Sequence, residues 1–160
     1  MDTVKPETVY LSKRGMKDLK KQVSQLERQL HQAQLELRDL DKTDSREDRF
    51  ERIERLARIE SVEAELFEKK AQLENSKILP RKRDALRVAL GSVVDLIDSN
   101  GRMMRYTLVN SIEANPSDGR ISVNSPLGKS LLGRSIDDKD NVVNWRVGMR
   151  SNNLRLIKIN

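Results

Sequence analysis

From Leu19 onward the apolar side chains fall at Leu19, Val23, Leu26, Leu30, Ala33, Leu37 and Leu40, in steps that alternate between four and three. That spacing keeps them on one seam of a helix, the heptad arrangement of a coiled coil. Between them lie Lys20, Lys21, Gln22, Gln25, Glu27, Arg28, Gln29, Gln32, Glu36 and Arg38, good helix formers that keep the outer face in water. No glycine or proline interrupts residues 16–79. Ser12 stands just before the periodic stretch and is the N-cap candidate, although Gly15 occupies the place where a capping box would have Glu or Gln. A second apolar series, Phe50, Ile53, Leu56, Ile59, Val62, Leu66 and Leu73, predicts a second helix. Its repeated steps of three overwind the stripe locally.

The two series are separated by Asp41-Lys42-Thr43-Asp44-Ser45-Arg46-Glu47-Asp48, a stretch with no apolar side chain. Two striped helices joined by a short polar segment fold back on each other, because neither can bury its stripe alone. Each arm, at about 1.5 Å per residue, would reach about 40 Å. The competing arrangement is an intermolecular coiled coil with one continuous helix through 41–48. Asp, Ser and Thr favour caps and turns over helix interiors, which points to the hairpin.

After Leu79-Pro80 the helical spacing stops and short apolar runs appear between turn residues. Strands are predicted at 92–97, 105–109, 120–123, 142–147 and 154–159. Turn signals stand at Ser99-Asn100-Gly101 and Asn115-Pro116-Ser117-Asp118-Gly119. The run Ser125 to Gly133 reads as a short helix, with Ser125 as N-cap, Pro126 at the first position and Gly133 just past the end. The predicted architecture is α+β: an antiparallel helical hairpin over 1–79 with its tip at 41–48, then an antiparallel sheet domain with one short helix over 80–160.

Composition narrows the function. The chain of 160 residues has no cysteine and a single histidine, so disulfides, thiolate zinc sites and a cysteine nucleophile are excluded. No apolar run approaches the roughly 18 residues that span a bilayer, and the N-terminus lacks a signal-peptide layout, so a cytoplasmic location without membrane contact is expected. The net charge of +6 sits wholly in the second half, since residues 1–79 carry 17 basic and 17 acidic side chains. A weakly basic surface on the second domain is consistent with this, but charge alone identifies no partner.

The acidic tip is the strongest candidate for chemistry. Asp41, Asp44, Glu47 and Asp48 fall within eight residues. A hard cation such as Mg2+ prefers one or two carboxylates plus water and phosphate oxygens, so the tip could donate ligands to a metal held elsewhere. An exposed polar turn neutralised by Lys42 and Arg46 explains the same residues without function. The spacing is not that of an EF-hand, and neither a phosphate loop nor a serine nucleophile motif is present. Arg46, Arg49, Arg52, Arg55 and Arg58 recur every third residue among Glu47, Glu51, Glu54 and Glu60, a pattern of surface ion pairs or of phosphate contacts. His31 lies beside the seam and Trp145 in an apolar strand, the first a surface residue and the second a core one.

Three stretches together make the chain similar to the bacterial GreA/GreB transcript-cleavage factors over nearly its whole length. Residues 10–19, from Tyr10-Leu11-Ser12 through Gly15 to Leu19, resemble the opening of that family's first long helix, and residues 121–133, Ile121-Ser122-Val123-Asn124-Ser125-Pro126-Leu127-Gly128-Lys129-Ser130-Leu131-Leu132-Gly133, resemble its most specific motif. Gly91-Ser92-Val93-Val94, Tyr106-Thr107-Leu108-Val109 and Glu113-Ala114 add to the match.

The resemblance implies that the second domain is FKBP-like and docks on RNA polymerase at the entrance of the secondary channel, through the segment carrying Ser125, Pro126, Leu127, Gly128, Leu131, Leu132 and Gly133. The hairpin would enter the channel. Its tip carboxylates, Asp44 and Glu47 with Asp41 and Asp48 beside them, would share a Mg2+ with the polymerase so that a backtracked RNA 3' end is cut by the polymerase itself. The family's tip pattern, Asp-x-x-Glu followed by Asn, falls on Asp44-Ser45-Arg46-Glu47 followed by Asp48, so the carboxylates are kept and the Asn is replaced.

The expected protein is therefore a monomeric cofactor of RNA polymerase and not itself an enzyme. Gre-like proteins that occupy the same channel and inhibit form the first alternative. A structural coiled-coil adaptor with an FKBP-like interaction domain forms the second.

Overall fold

The computed structural model describes residues 8–40, 46–80, 86–137, 142–147 and 150–160, with the backbone alone described at 46–48, 147 and 150–152. Two compact units emerge, one built on Met16–Ser76 and the other joining Tyr10–Gly15 to Lys77–Asn160. No helix among the described residues is long and apolar enough to cross a membrane.

Helix α1 (Lys13–Leu40) and helix α2 (Arg46–Glu74) lie antiparallel and, from Met16 onward, form the first unit. A short strand β1 (Val9–Leu11) before α1 pairs with β2 (Ser76–Ile78) after α2. This pairing had no period long enough to announce it in the sequence. The α1 seam is the one its heptads predict: Leu19, Val23, Leu26 and Ala33 are buried and Leu30, Leu37 and Leu40 half-buried. Val23, Leu26 and Leu66 form the centre of the contact, with Leu30, Val62 and Leu73 against it. Lys70 pairs with Glu27 across the helices at 2.8 Å. Side-by-side helices tied in this way replace the continuous rod of the intermolecular alternative.

The α2 stripe departs from expectation in its first half. Ile59 and Leu66 are buried, but Phe50 and Ile53 stand 78% and 65% exposed and Leu56 is also exposed. Each residue turns the helix by about 100°, so a step of three falls short of a full turn by about 60°. Three such steps separate Phe50 from Ile59 and carry Phe50 to the opposite face. Arg55, four residues before Ile59, stays near the seam, and its guanidinium donates to the Glu36 carbonyl at 2.7 Å.

The second unit is a five-stranded sheet in the order β5-β4-β3-β7-β6, formed by β3 (Val93–Asp98), β4 (Met103–Val109), β5 (Arg120–Ser122), β6 (Val142–Val147) and β7 (Arg150–Ile159). β3 is central, antiparallel to β4 through Leu96↔Met104 and to β7 through Leu96↔Leu156. All five strands were expected to pair antiparallel, and β3, β4, β6 and β7 do so. The exception is β5, which runs parallel to β4 through Leu108↔Ile121. Parallel neighbours need a longer crossover than a hairpin turn, and the connection here carries two one-turn 3-10 segments, Ser111–Glu113 and Pro116–Asp118. Helix α3 (Pro126–Leu131) covers one face and buries Leu127 and Leu131 with Val94, Leu96, Leu108 and Leu156. Trp145 packs against this core, as a tryptophan in an apolar strand should.

Candidate functional site

Two regions carry the candidate residues. The first is the connection between α1 and α2. Asp41 and Asp44 lie outside the described residues, while Glu47 and Asp48 fall in the first turn of α2, with no side-chain description. Carboxylates in a first turn face the positive end of the helix dipole, which is worth about 0.3–1 kcal/mol each at a surface whatever else they do. Among the described residues no cluster of three potential metal-ligating side chains occurs.

Charge dominates the neighbouring part of the paired helices. Besides its bond to Glu36, Arg55 donates to Glu51 Oε1 at 2.5 Å, an i, i+4 pair on the α2 surface. Pairs of this kind contribute a few tenths of a kcal/mol. His31 is exposed, as its place beside the seam requires.

The second region is the segment from Ser125 to Gly133, and most of it builds the fold. Ser125 caps α3: its Oγ accepts from Gly128 N at 3.0 Å and donates to the Ser122 carbonyl at 2.6 Å. Pro126 takes the first helical position, where its missing N–H costs nothing. A Cβ at Gly128 would lie 2.0 Å from the Ser122 carbonyl oxygen, so only glycine allows α3 this close to β5. Gly133 follows the helix with φ 80°, and its N–H donates to the Val88 carbonyl at 2.7 Å. Leu127, Gly128 and Leu131 are buried, leaving Pro126, Lys129, Leu132 and Gly133 as the surface this segment can offer a partner.

Two further carboxylates are held by cations. Asp95 is buried and its oxygens accept from Arg105 Nε at 2.6 Å and Nη2 at 3.0 Å across the β3–β4 pair. The hydrogen bonds from Arg105 hold the Asp95 carboxyl below its ordinary 3.8 despite the opposing cost of burial. Asp118 is lowered in the same direction by its hydrogen bonds from Arg120. A third, Glu113, is buried against the start of α1, where Ser12 donates to it from both its backbone N and its hydroxyl. Glu113 was legible in the sequence only as part of a family pattern. Nothing in residue spacing ties it to Ser12, 101 residues earlier.

Comparison with known proteins identifies the second domain. The family described as "Transcription elongation factor, GreA/GreB, C-term" matches residues 83–160. Residues 83–160 are thus a GreA/GreB C-terminal domain. GreA of Zymomonas mobilis is 37% identical over 79 residues, covering 49% of this chain and 50% of that protein. GreA of Mycoplasma pneumoniae is 35% identical over 101 residues, 61% of each chain. The chain thus spans between half and three-fifths of the length of these curated relatives. Gfh1 of Thermus aquaticus is 27% identical and covers 96% of this chain and 98% of its own, at a TM-score of 0.43. Both curated relatives are named transcription elongation factor GreA.

Proposed function

We propose that this GreA/GreB family member enters the secondary channel of RNA polymerase with its paired helices and stimulates Mg2+-dependent cleavage of backtracked RNA by the polymerase. The observation that carries this reading is a combination. A GreA/GreB C-terminal domain at 83–160 follows two paired helices of 28 and 29 residues, and residues 41–48, which join them and open the second, hold four carboxylates. Helices of that length extend about 40 Å from end to end.

The donor set suits Mg2+, which is a hard cation and takes one or two carboxylates with water and phosphate oxygens. Asp44 and Glu47 would hold it jointly with the polymerase, with Asp41 and Asp48 beside them. When bound, the ion supplies an activated water and stabilises charge on the phosphate. The chain's own contribution is position. A misplacement of a reacting group by about 1 Å can cost about 100-fold in rate. Pro126, Lys129, Leu132 and Gly133 provide the docking surface on the second domain.

Inhibition without cleavage is the second reading. It draws on Asp48 in place of the family's Asn and on Arg46, Arg49 and Arg52, which add positive charge beside the carboxylates. Backtracked elongation complexes with end-labelled RNA decide between the two. Adding the protein with Mg2+ should shorten the RNA, and Asp44→Ala with Glu47→Ala should slow the shortening by about 100-fold while polymerase binding persists. Slowed elongation without shortening would establish the inhibitor, and no binding to polymerase would leave the coiled-coil adaptor.

A further inference from the structure

The first turn of α1 has a vacancy in its own sequence. Ser12 caps the helix, accepting from Gly15 N at 2.9 Å on its Oγ. In a capping box the residue at this third position would return the favour: a Glu or Gln side chain would accept the N-cap backbone N–H. Glycine has no side chain with which to do so. Glu113 supplies the missing half from elsewhere in the globular unit, its Oε2 accepting from Ser12 N at 2.8 Å and its Oε1 from Ser12 Oγ at 2.5 Å.

The fit is steric as well as chemical. A Cβ at Gly15 would lie 2.0 Å from Glu113 Oε1 and 2.2 Å from its carboxyl carbon, so the Glu113 carboxylate fills the space that an ordinary side chain at residue 15 would use. Both residues are buried, and Tyr10–Gly15 cluster with Lys77–Asn160 and not with the rest of α1. Negative charge also belongs at this end of a helix.

We propose that Glu113 is a positioning residue that completes the capping box of α1 from outside the helix, so that the root of the long helix is held by the globular unit. The functional consequence rests on the secondary-channel reading: a lever works only if its root is fixed to the part that docks. Gly15 and Glu113 then form one device, and each is useful only with the other.

Three variants of the full chain test this: Glu113→Ala, Gly15→Glu, and the two combined. Hydrogen exchange at the Ser12 amide is the first readout. Glu113→Ala should speed it by about fivefold or more, as loss of a cap partner does. Glu113→Gln, which keeps an acceptor, should stay closer to the parent protein. Gly15→Glu alone should disrupt the root, because two carboxylates would compete for one space. In the combined variant a local Ser12-x-x-Glu box is rebuilt in the vacated volume, and protection of Ser12 should return to within about threefold of the parent.

The second readout is a titration against RNA polymerase. Glu113→Ala and the combined variant should both reach half-saturation at the parent's concentration yet give a saturating effect on RNA reduced by about fivefold or more, as a displaced reacting group does. Unchanged Ser12 exchange in Glu113→Ala would overturn the proposal, and so would full recovery of the saturating effect in the combined variant, which would make Glu113 a helix cap and nothing more. If the parent protein has no effect on polymerase, the channel reading fails while the exchange result still decides the capping claim.

Discussion

Near the start of α1 and the end of α2 the helices close over Val23, Leu26 and Leu66, whereas toward the connecting segment Phe50 and Ile53 face away from α1 and Arg55 lies against it. Both halves are helical and both are rich in charge. What separates them is the phase of the apolar residues. Steps of three and four in α1 keep one face, while three successive steps of three in α2 swing the stripe through half a turn. The inner half is therefore stabilised by apolar burial, and the half nearest the carboxylates by hydrogen bonds and ion pairs worth tenths of a kcal/mol. A factor of the kind proposed gains from this division, since its working end must keep charge in water while its base keeps shape.

Breaking the comparison should produce graded effects. The largest belongs to the globular core, where Leu108 is fully buried: Leu108→Ala should cost about 3–5 kcal/mol in thermal or urea unfolding. Leu26→Ala, at the centre of the inner helical contact, should cost about 2–3 kcal/mol, the seam being narrower and better able to collapse. Phe50→Ala with Ile53→Ala should change stability by no more than about 0.5 kcal/mol, because neither side chain leaves water on folding. A loss of several kcal/mol from that pair would show that the outer half is packed after all.

Between these extremes lies Asp95. Its folded-state carboxyl is lowered, so the Arg105 hydrogen bonds stabilise the globular unit above the ordinary 3.8 and that contribution disappears as pH falls through the lowered value. Asp95→Asn should lower the melting temperature near neutral pH, and the gap from the parent protein should narrow below pH 3.8. A gap that stays constant down to acid would mean that the ion pair contributes nothing. Arg105 is largely exposed, so the effect should be smaller than that of either leucine.

Much of this was readable from local pattern. The heptads of α1, the cap at Ser12, the short helix bracketed by Ser125, Pro126 and Gly133 and the five sheet strands each announce themselves within a few residues, where side-chain period and turn chemistry act. The outer half of α2 was misread because its steps of three were taken as a local overwinding of one stripe, whereas they turn Phe50 and Ile53 off the seam. The β4–β5 direction and the β1–β2 pair depend on how distant segments meet, which no local period encodes. The same holds for Gly15, whose place at the third helical position looks like a defect until Glu113 is seen in its space. The carboxylates at 41–48 stand out by composition alone, and composition cannot separate a solvated turn from a metal-ligating one.

The central claim is that the segment between the helices reaches the polymerase's reaction centre. The chain has no cysteine, so Thr43→Cys offers a unique attachment point for a short photo-crosslinker. In a backtracked elongation complex the label should join to polymerase segments around the catalytic metal and to the RNA 3' end, and excess unlabelled protein should compete it away. Crosslinks confined to the outer surface of the polymerase, or none at saturating protein, would contradict the account.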